Sequence, residues 1–383
     1  MSFSEKIKDY QWDDVRLSIY AKRAVDVQRA LGKSKLDLED FKALLSPAAE
    51  PFLEKMAMKS QKITLQRFGK TQQFYIPLYL SNMCSNICTY CGFSMHNALR
   101  RKTLDLAEIE EECIAIKKMN FEHILLVAGE SERKVGVPYF KQALSVIRKY
   151  FSHISLEVQP LDVDEYTELI EHGIDAVLVY QETYNAPTYA EHHLKGKKRD
   201  FKYRLDTHDR LGVAGVQKMG LGCLIGLEEW RTDCFYVAAH LQYLEKKYWK
   251  SRYTISFPRL RPCAGGAAIK SVMDDKQLLQ LICAYRLFNN VVELSLSTRE
   301  SPSFRDNILA LGITSLSAGS STQPGGYAKT SVKALQQFEI SDDRSPQEMA
   351  AQVKKLGYEV VWKDWEQCLS GPLRAINDNE ARH

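Results

Sequence analysis

The sequence has no long apolar run. No stretch of its 383 residues approaches the roughly 20 consecutive apolar positions that a membrane-spanning helix needs. The N-terminus also lacks the basic segment followed by an apolar segment that is typical of a secretory signal. The formal net charge is only +4, which is too small to indicate nucleic-acid binding. We therefore expect a globular cytoplasmic protein with no membrane and no nucleic acid among its partners.

The sequence also lacks the regular cysteine pattern of a disulfide-rich protein. Nine cysteines in a chain without a secretory signal indicate a reducing compartment, where disulfides are rare. Isolated cysteines are usually buried apolar side chains. Six of the nine are scattered in this way: Cys113, Cys223, Cys234, Cys263, Cys283 and Cys368. The other three lie together in one short segment and form the most informative motif of the chain.

The grouped cysteines are Cys84, Cys88 and Cys91, in a CxxxCxxC spacing that directly follows the apolar run Phe74–Leu80. Three closely spaced thiolates suit a soft metal site. A tetrahedral zinc site normally takes a fourth protein ligand, whereas three cysteines can hold an iron–sulfur cubane whose fourth iron stays open to a small ligand. The spacing favours the cluster. A zinc loop with a distant fourth ligand and three unrelated cysteines are the alternatives.

This motif, with the aromatic Tyr90 just before its last cysteine, resembles that of the radical S-adenosylmethionine (SAM) enzymes. Further segments are similar to the radical SAM tyrosine lyases of thiamin thiazole biosynthesis, the 2-iminoacetate synthase family. They extend over nearly the whole chain: Phe74–Asn82, Gly92–Ser94, Tyr180–Tyr184, Ser256–Pro262, Ser297–Glu300 and Thr322–Tyr327.

The resemblance implies a lyase that cleaves the Cα–Cβ bond of L-tyrosine to 2-iminoacetate (dehydroglycine) and 4-methylphenol (p-cresol). SAM would be converted to 5′-deoxyadenosine and methionine. The implied cofactors are a [4Fe–4S] cluster, held by Cys84, Cys88 and Cys91, and SAM on the open iron. The implied partners, besides L-tyrosine, are the thiazole synthase of the thiamin pathway and an electron donor such as flavodoxin.

Two other functions remain open. A tyrosine lyase of hydrogenase maturation carries a further trio of cysteines near its C-terminus for a second cluster, whereas the tail of this chain holds only Cys368. That difference argues against it. The alternative from another class is a zinc-stabilised interaction domain on an α/β scaffold.

The first 70 residues read as helices, at Asp13–Leu31, Leu36–Leu45 and Pro51–Phe68. Short β-rich runs then alternate with helical stretches, which is typical of parallel strands joined by crossover helices. Eight runs are strand candidates: Phe74–Leu80, His123–Ala128, Ile154–Val158, Ala176–Tyr180, Lys218–Ile225, Tyr253–Phe257, Val291–Ser295 and Ile313–Ala318. This number predicts a (β/α)8 TIM-type barrel at 71–318. The N-terminal helical extension is then 1–70, and a C-terminal extension is 319–383.

The active site of such a barrel lies at the C-terminal ends of its strands. The candidate SAM contacts near those ends are Tyr90, Gly129, Glu130, Glu157, Gln159, Arg204 and Gly222. A glycine lets backbone approach a ligand, and a carboxylate complements the SAM ammonium. Strand alternation is expected to put Glu157 and Gln159 on one face, near the SAM ribose. A plain turn at the glycines and polar pairs inside the barrel are the alternatives.

The substrate contacts are expected after the later strands. A free amino acid needs a guanidinium for its carboxylate and hydrogen-bond acceptors for its amine. Arg299 with Ser297 is the first choice for this clamp, and Arg299 is also the catalytic candidate outside the cysteines; Arg259 is the second choice. Structural ion pairs around the barrel mouth are the alternative.

One low-complexity segment is strongly basic, Lys195-Gly196-Lys197-Lys198-Arg199. A run of this kind is most often a solvated loop. The more specific interpretation is a loop near an anionic substrate or a partner protein.

Overall fold

The structure is a computed structural model that describes residues 2–261, 270–329 and 336–363. The α-helices of these ranges are α1 Phe3–Lys6, α2 Trp12–Tyr20, α3 Ala24–Gly32, α4 Leu38–Leu45, α5 Leu53–Phe68, α6 Leu106–Lys117, α7 Val137–Ile147, α8 Val163–Glu171, α9 Ala186–His192, α10 Phe201–Leu205, α11 Thr207–Ala214, α12 Trp230–Lys247, α13 Asp275–Phe288, α14 Pro302–Ile308 and α15 Pro346–Lys355. The strands are β1 Thr71–Ser81, β2 Ile87–Cys88, β3 His123–Ala128, β4 His153–Glu157, β5 Ala176–Leu178, β6 His193–Lys195, β7 Lys218–Leu221, β8 Arg252–Ser256, β9 Glu293–Leu296, β10 Ser315–Ser317 and β11 Glu359–Val361.

Eight parallel strands form a closed barrel in the order β1, β3, β4, β5, β7, β8, β9 and β10. The barrel closes because β10 pairs with β1, with Ser315–Ser317 in register with Gln73–Tyr75. The predicted (β/α)8 barrel is thus confirmed. Because all eight strands are parallel, their C-terminal ends meet at one end of the barrel, where the loops after each strand surround a common space.

The barrel wall is buried from both sides. Every residue of β3 is buried, since one face of the strand meets the barrel interior and the other meets the surrounding helices. This explains why the strands read as short continuous apolar runs in the sequence. The starts of several helices are fixed by local capping boxes. In α6 and α13, the side chains of Asp105 and Asp274 accept hydrogen bonds from the backbone N–H of the third helical residue.

The N-terminal helices pack on the outside of the barrel. Helices α4 and α5 contact α13, and α2 contacts α12. The start of the chain is anchored there too, because the buried Phe3 ring stacks on His240 with centroids 3.8 Å apart. The Phe3 backbone N–H also donates to Asp209 at 2.9 Å. The division of the chain into 1–70, 71–318 and 319–383 stays a prediction.

The C-terminal part of the chain also contributes a strand. β11 pairs in parallel with Thr71–Gln73, at the N-terminal end of β1. It therefore lies at the end of the barrel opposite the cysteine loop. Helix α15 packs beside β11.

Several predicted boundaries differ from the structure. The predicted helix Asp13–Leu31 is two helices, α2 and α3, which are separated by residues 21–23. The predicted strand 218–225 ends at Leu221, and later residues form only isolated bridges to neighbouring loops. The small antiparallel pair of β2 and β6 was not predicted, because each strand has only two or three residues.

The cysteines that the structure describes are all free. The Sγ atoms of Cys223 and Cys234 lie 3.8 Å apart without a bond. Cys263 and Cys368 lie outside the described residues. Within the described ranges, no helix combines the length and apolar character required to cross a bilayer.

Candidate active site

A large cavity opens at the C-terminal end of the barrel. It contains about 1560 Å³ of empty space, part of it open to solvent. Its wall includes all three grouped cysteines, Cys84, Cys88 and Cys91. The fold therefore brings the cysteine motif to the place where the strand ends of the barrel converge.

The loop that carries the cysteines is held by hydrogen bonds rather than by apolar packing alone. Its short strand β2 pairs with β6, which puts Cys88 opposite His193. The hydroxyl of Tyr90 forms a 2.7 Å hydrogen bond with Nε2 of the same histidine. The Arg101 guanidinium donates to the backbone carbonyls of residues 82, 93 and 94 at 2.7 to 2.8 Å. Sequence reasoning did not single out Arg101, because nothing local marks an arginine that binds carbonyls.

Three cysteine thiols at one cavity wall are a donor set that suits an iron–sulfur cluster. Among the residues that the structure describes, no three Cys, His, Asp or Glu side chains converge closely enough to hold one metal ion. In a cubane, by contrast, each thiolate binds a different iron, so the three sulfurs need not converge. Burial raises the pKa of Cys84 and Cys88, and a bound metal would favour the thiolate form of both.

Gly129 is required by the cysteine loop itself. A Cβ at this position would overlap the carbonyl oxygen of Met83 and would lie 3.3 Å from the Cβ of Cys84. The glycine therefore lets the segment that enters the motif pass against the end of β3. Its predicted contact with SAM remains a prediction beside this packing role.

Glu130 belongs to a buried network of charges next to the cysteine loop. It accepts a hydrogen bond from Asn86 at 2.7 Å and another from Arg204 at 3.0 Å. Arg204 also reaches Glu182 at 3.4 Å, and Lys198 binds the same carboxylate at 2.7 Å. All four charged residues line the cavity.

Two members of this network, Glu182 and Lys198, were not among the candidate site residues, although Glu182 lies in the segment Tyr180–Tyr184 that resembles the family. Burial raises the pKa of Glu182, but Lys198 and Arg204 outweigh burial and hold its pKa below the ordinary value. Glu182 also has a φ of +72°, a left-handed conformation that is uncommon outside glycine and clusters at functional sites. Lys198 lies in the basic run that reads as a solvated loop, yet its side chain is largely buried.

The other wall of the cavity carries an arginine and a carboxylate that form no ion pair with the described residues. Arg299 forms no ion pair with a described residue, and its guanidinium lies 3.5 Å from the centroid of the Phe338 ring. Ser297 lines the same wall and accepts the Arg299 backbone N–H at 3.4 Å. The strand ends at Leu296, so a turn rather than strand alternation puts both residues at the cavity.

Glu157 faces the same space from the end of β4. Its side chain forms no hydrogen bond with the described residues. Burial raises its pKa to about 7, although the charge of Arg299 pulls in the opposite direction. The phenol rings of Tyr75, Tyr79 and Tyr180 also line this part of the cavity.

Three predicted contact residues do not reach the cavity wall. The Gln159 amide donates to the Val135 carbonyl at 2.7 Å, because β4 ends at Glu157 and alternation does not continue. Arg259 is paired with Glu300 and with Asp275. Gly222 packs against the Tyr180 ring. Arg261, two residues after Arg259, lines the cavity instead of Arg259.

The segment 337–338 completes the cavity from the C-terminal part of the chain. The Tyr79 hydroxyl donates to the Gln337 side chain at 2.8 Å, and the Gln337 amide lies 3.7 Å from Sγ of Cys91. These contacts join residues more than 240 positions apart, which no local sequence signal reveals.

Two family models match the chain. The Radical SAM superfamily matches residues 78–232, and the Biotin and Thiamin Synthesis associated domain matches residues 256–359. The first range contains the cysteine motif and the charge network. The second contains Ser297, Arg299 and Gln337.

Curated relatives match nearly the whole chain. The 2-iminoacetate synthases of Salmonella typhimurium and Escherichia coli are each 55% identical to it over 369 residues, which is 96% of this chain and 98% of each relative. Among solved structures, HydG, a maturase of the [FeFe]-hydrogenase, has a TM-score of 0.84 at 29% identity, over 95% of this chain and 80% of HydG.

Replacement of one grouped cysteine tests the cluster assignment. After anaerobic reconstitution with iron and sulfide, we expect Cys88→Ala to lose the visible absorbance and most bound iron, because the cubane loses one of three protein ligands. Cys113→Ala is the matched control, since Cys113 is buried in α6 away from the cavity. Full iron loading in Cys88→Ala would contradict the assignment.

Proposed function

Because the chain belongs to the 2-iminoacetate synthase family of radical SAM enzymes, we propose that it cleaves L-tyrosine to 2-iminoacetate and 4-methylphenol. SAM is converted to methionine and 5′-deoxyadenosine, with one electron from an external donor. The observation that carries this function is the identity of 55% over 98% of each curated relative. HydG is covered only to 80% and at 29% identity, so its further activity is not transferred.

The chain's own residues divide the cavity between cofactor and substrate. Cys84, Cys88 and Cys91 would hold the [4Fe–4S] cluster. The neighbouring charges of Glu130 and Arg204, with those of Glu182 and Lys198, would bind the ammonium and carboxylate of SAM. When bound, the cluster and SAM supply a radical that takes a hydrogen atom from the tyrosine amino group.

Arg299 and Glu157 are the groups best suited to the two charges of tyrosine. A buried guanidinium gains most from a carboxylate when no other partner neutralises it. Burial disfavours the charged form of Arg299 and lowers its pKa, so a bound carboxylate would stabilise the guanidinium. Glu157 lies near enough to Arg299 for the charge of the guanidinium to lower the pKa of the carboxyl. The ammonium and the carboxylate of tyrosine are attached to the same carbon. Glu157 and Arg299 can therefore bind both charges of one molecule, and Ser297 is a further hydrogen-bonding partner.

Glu157 would also prepare the amine for reaction. An amino acid in water is an ammonium, and the amine must lose a proton before an N–H bond is cleaved homolytically at a neutral nitrogen. A carboxylate of raised pKa in a buried site is a suitable acceptor of this proton. The surrounding tyrosine rings exclude water, which protects the imine product from hydrolysis.

The partners of the reaction follow from its chemistry. The unstable imine must pass to an acceptor, which the family implies is the thiazole synthase of the thiamin pathway. The electron must come from a carrier of low potential, such as flavodoxin. The free cysteines of the described residues are consistent with a cytoplasmic location.

Anaerobic incubation tests the function directly. The reconstituted protein with SAM, dithionite and L-tyrosine is expected to release 4-methylphenol, and each component should be required. Liquid chromatography detects the phenol and 5′-deoxyadenosine in the same sample. Absence of 4-methylphenol from a protein with a full cluster would overturn the proposal.

Arg299→Ala tests the substrate clamp. Loss of a charge-assisted pair costs about 1.5–3 kcal/mol, so KM for tyrosine should rise roughly tenfold to a hundredfold. Iron content and SAM cleavage without tyrosine should persist, because this arginine is not assigned to either. Arg299→Lys keeps the charge but not the fork geometry, so it should fall between Arg299→Ala and the natural protein. Normal tyrosine binding in Arg299→Ala would move the role to Arg261.

Glu157→Gln tests the proton acceptor through pH. The carboxyl is ionised above its pKa of about 7, so tyrosine binding should weaken as pH falls through 7, by roughly tenfold per unit below it. The charged groups facing it, Arg299, Glu182, Lys198 and Arg204, are not expected to titrate there.

The measurement is KM for tyrosine from about pH 6 to about pH 8.5. Glu157→Gln should lose this dependence and should bind weakly at every pH. Glu54→Gln, an exposed position on α5, is the control. An unchanged pH profile in Glu157→Gln would contradict the assignment.

A further inference from the structure

The basic segment noted in the sequence lies against the loop that carries the cysteines. Strand β6 ends at Lys195 and pairs with β2, which places Lys195 opposite Ile87 and His193 opposite Cys88. The backbone N–H of Thr89 donates to the carbonyl of His192 at 3.1 Å. The basic loop, defined here as residues 195–199, therefore lies directly against the cluster-binding loop.

A close approach of the two backbones keeps this arrangement. Gly196 has a φ of +91°, and a Cβ there would overlap the side chain of Asn86. Asn86 in turn accepts the backbone N–H of Lys198 at 3.2 Å and donates to Glu130 at 2.7 Å. The basic loop is thus fixed to the cysteine loop and cannot be regarded as an independent surface segment.

The charges of the basic loop divide into an inner and an outer set. Lys198 turns inward to Glu182, as described for the cavity. Lys195, Lys197 and Arg199 are exposed. Lys197 pairs with the exposed Glu132. Lys195 and Arg199 form no ion pair with the residues that the structure describes, although Asp162 and Asp200 line the same surface depression as Arg199. Both cations can therefore pair with the carboxylates of a partner.

Two exposed apolar side chains adjoin these charges. Leu194 precedes Lys195 and is 52% exposed, and Met95 is 40% exposed. The Met95 backbone N–H donates to the carbonyl of Asn86 at 2.8 Å, and the Asn86 side chain contacts the basic loop, so Met95 is attached to the same part of the cysteine loop. Apolar contacts with charges beside them are the composition expected of a small, transient protein interface.

We propose that this surface, formed by Met95, Leu194, Lys195, Lys197 and Arg199, docks an acidic one-electron carrier protein that reduces the cluster. The proposal rests on the function proposed above, in which the carrier loses one electron and the cluster gains it. Electron transfer slows steeply with distance, and this surface lies one backbone pairing away from Cys88. Its outward charges suit an acidic partner because complementary charge accelerates association of weak complexes.

The surface fits a protein rather than a small anion. Lys195 and Arg199 stand on an exposed loop, and neither lines the large cavity. An isolated phosphate or carboxylate would gain little from such solvated charges. A carrier protein gains from several of them at once and from contact with Leu194 and Met95.

Charge reversal provides the test, with reduced flavodoxin as the probe. The variant is Lys195→Glu/Arg199→Glu in the reconstituted full chain. The matched control is Lys354→Glu/Lys355→Glu, since both lysines are exposed at the end of α15, near β11 and the opposite end of the barrel. Calorimetry gives the Kd for flavodoxin, and stopped-flow absorbance gives the rate of cluster reduction.

At low ionic strength, we expect the variant to bind flavodoxin about tenfold or more weakly and to be reduced more slowly by a similar factor. The control should stay within about twofold of the natural protein. The difference should shrink near 1 M salt, where the screening length is about 3 Å. Release of 4-methylphenol with saturating dithionite should be equal in all three proteins, because a small reductant needs no docking surface.

Equal flavodoxin affinity in the variant and the control would overturn the proposal. It would also be overturned if the charge-reversed variant lost affinity for thiazole synthase but not for flavodoxin. If charge reversal lowers the iron content, Lys195→Gln/Arg199→Gln repeats the measurement with a smaller expected loss in the same direction. Failure of the proposed function is a separate result, since it is a lack of 4-methylphenol with dithionite in the natural protein. Flavodoxin affinity and cluster reduction can still be measured in that case.

Discussion

The candidate site depends on a buried network of two carboxylates and two cations, Glu130, Glu182, Lys198 and Arg204. Removal of one partner from a buried ion pair typically costs about 3–5 kcal/mol, because the remaining charge stays in a medium of low polarity. Here each charge comes from a different segment: the loop after β3, the loop after β5, the basic loop and α10. The network therefore joins the connection after β3 to three parts of the long connection between β5 and β7. Through Asn86 it also fixes the cysteine loop.

The same network gives one side of the cavity a balanced but dense set of charges. Such a surface is suited to a ligand that carries both an ammonium and a carboxylate, as SAM does. A neutral ligand would displace the ion pairs and hydrogen bonds of these charged groups without forming equivalent ones. The left-handed backbone of Glu182 is consistent with this role, because strain of that kind persists where surrounding contacts determine the geometry.

The sequence predicted the features that local signals encode. Alternating apolar runs and helices predicted eight parallel strands, and β3 agrees with its prediction at both ends because Gly129 and Glu130 stop an apolar run. The cysteine spacing predicted the motif that the cavity contains. Strand alternation was a poor guide beyond strand ends, since it grouped Gln159 with Glu157 while the chain turns between them. Lys198 and Gln337 could not be predicted, because their roles depend on contacts between distant segments.

Arg299 and Glu157 are two buried charges of opposite sign that do not pair with each other. They attract each other across the cavity, yet they form no ion pair within 4 Å and no other described residue neutralises either one. Had they been paired, tyrosine would have to break that contact before binding. Kept apart by the barrel wall, with Phe338 against the guanidinium, they leave a space in which a zwitterion can satisfy both charges at once. Under the proposed function, the unfavourable burial of two separated charges would give selectivity for a free amino acid over neutral molecules of similar shape.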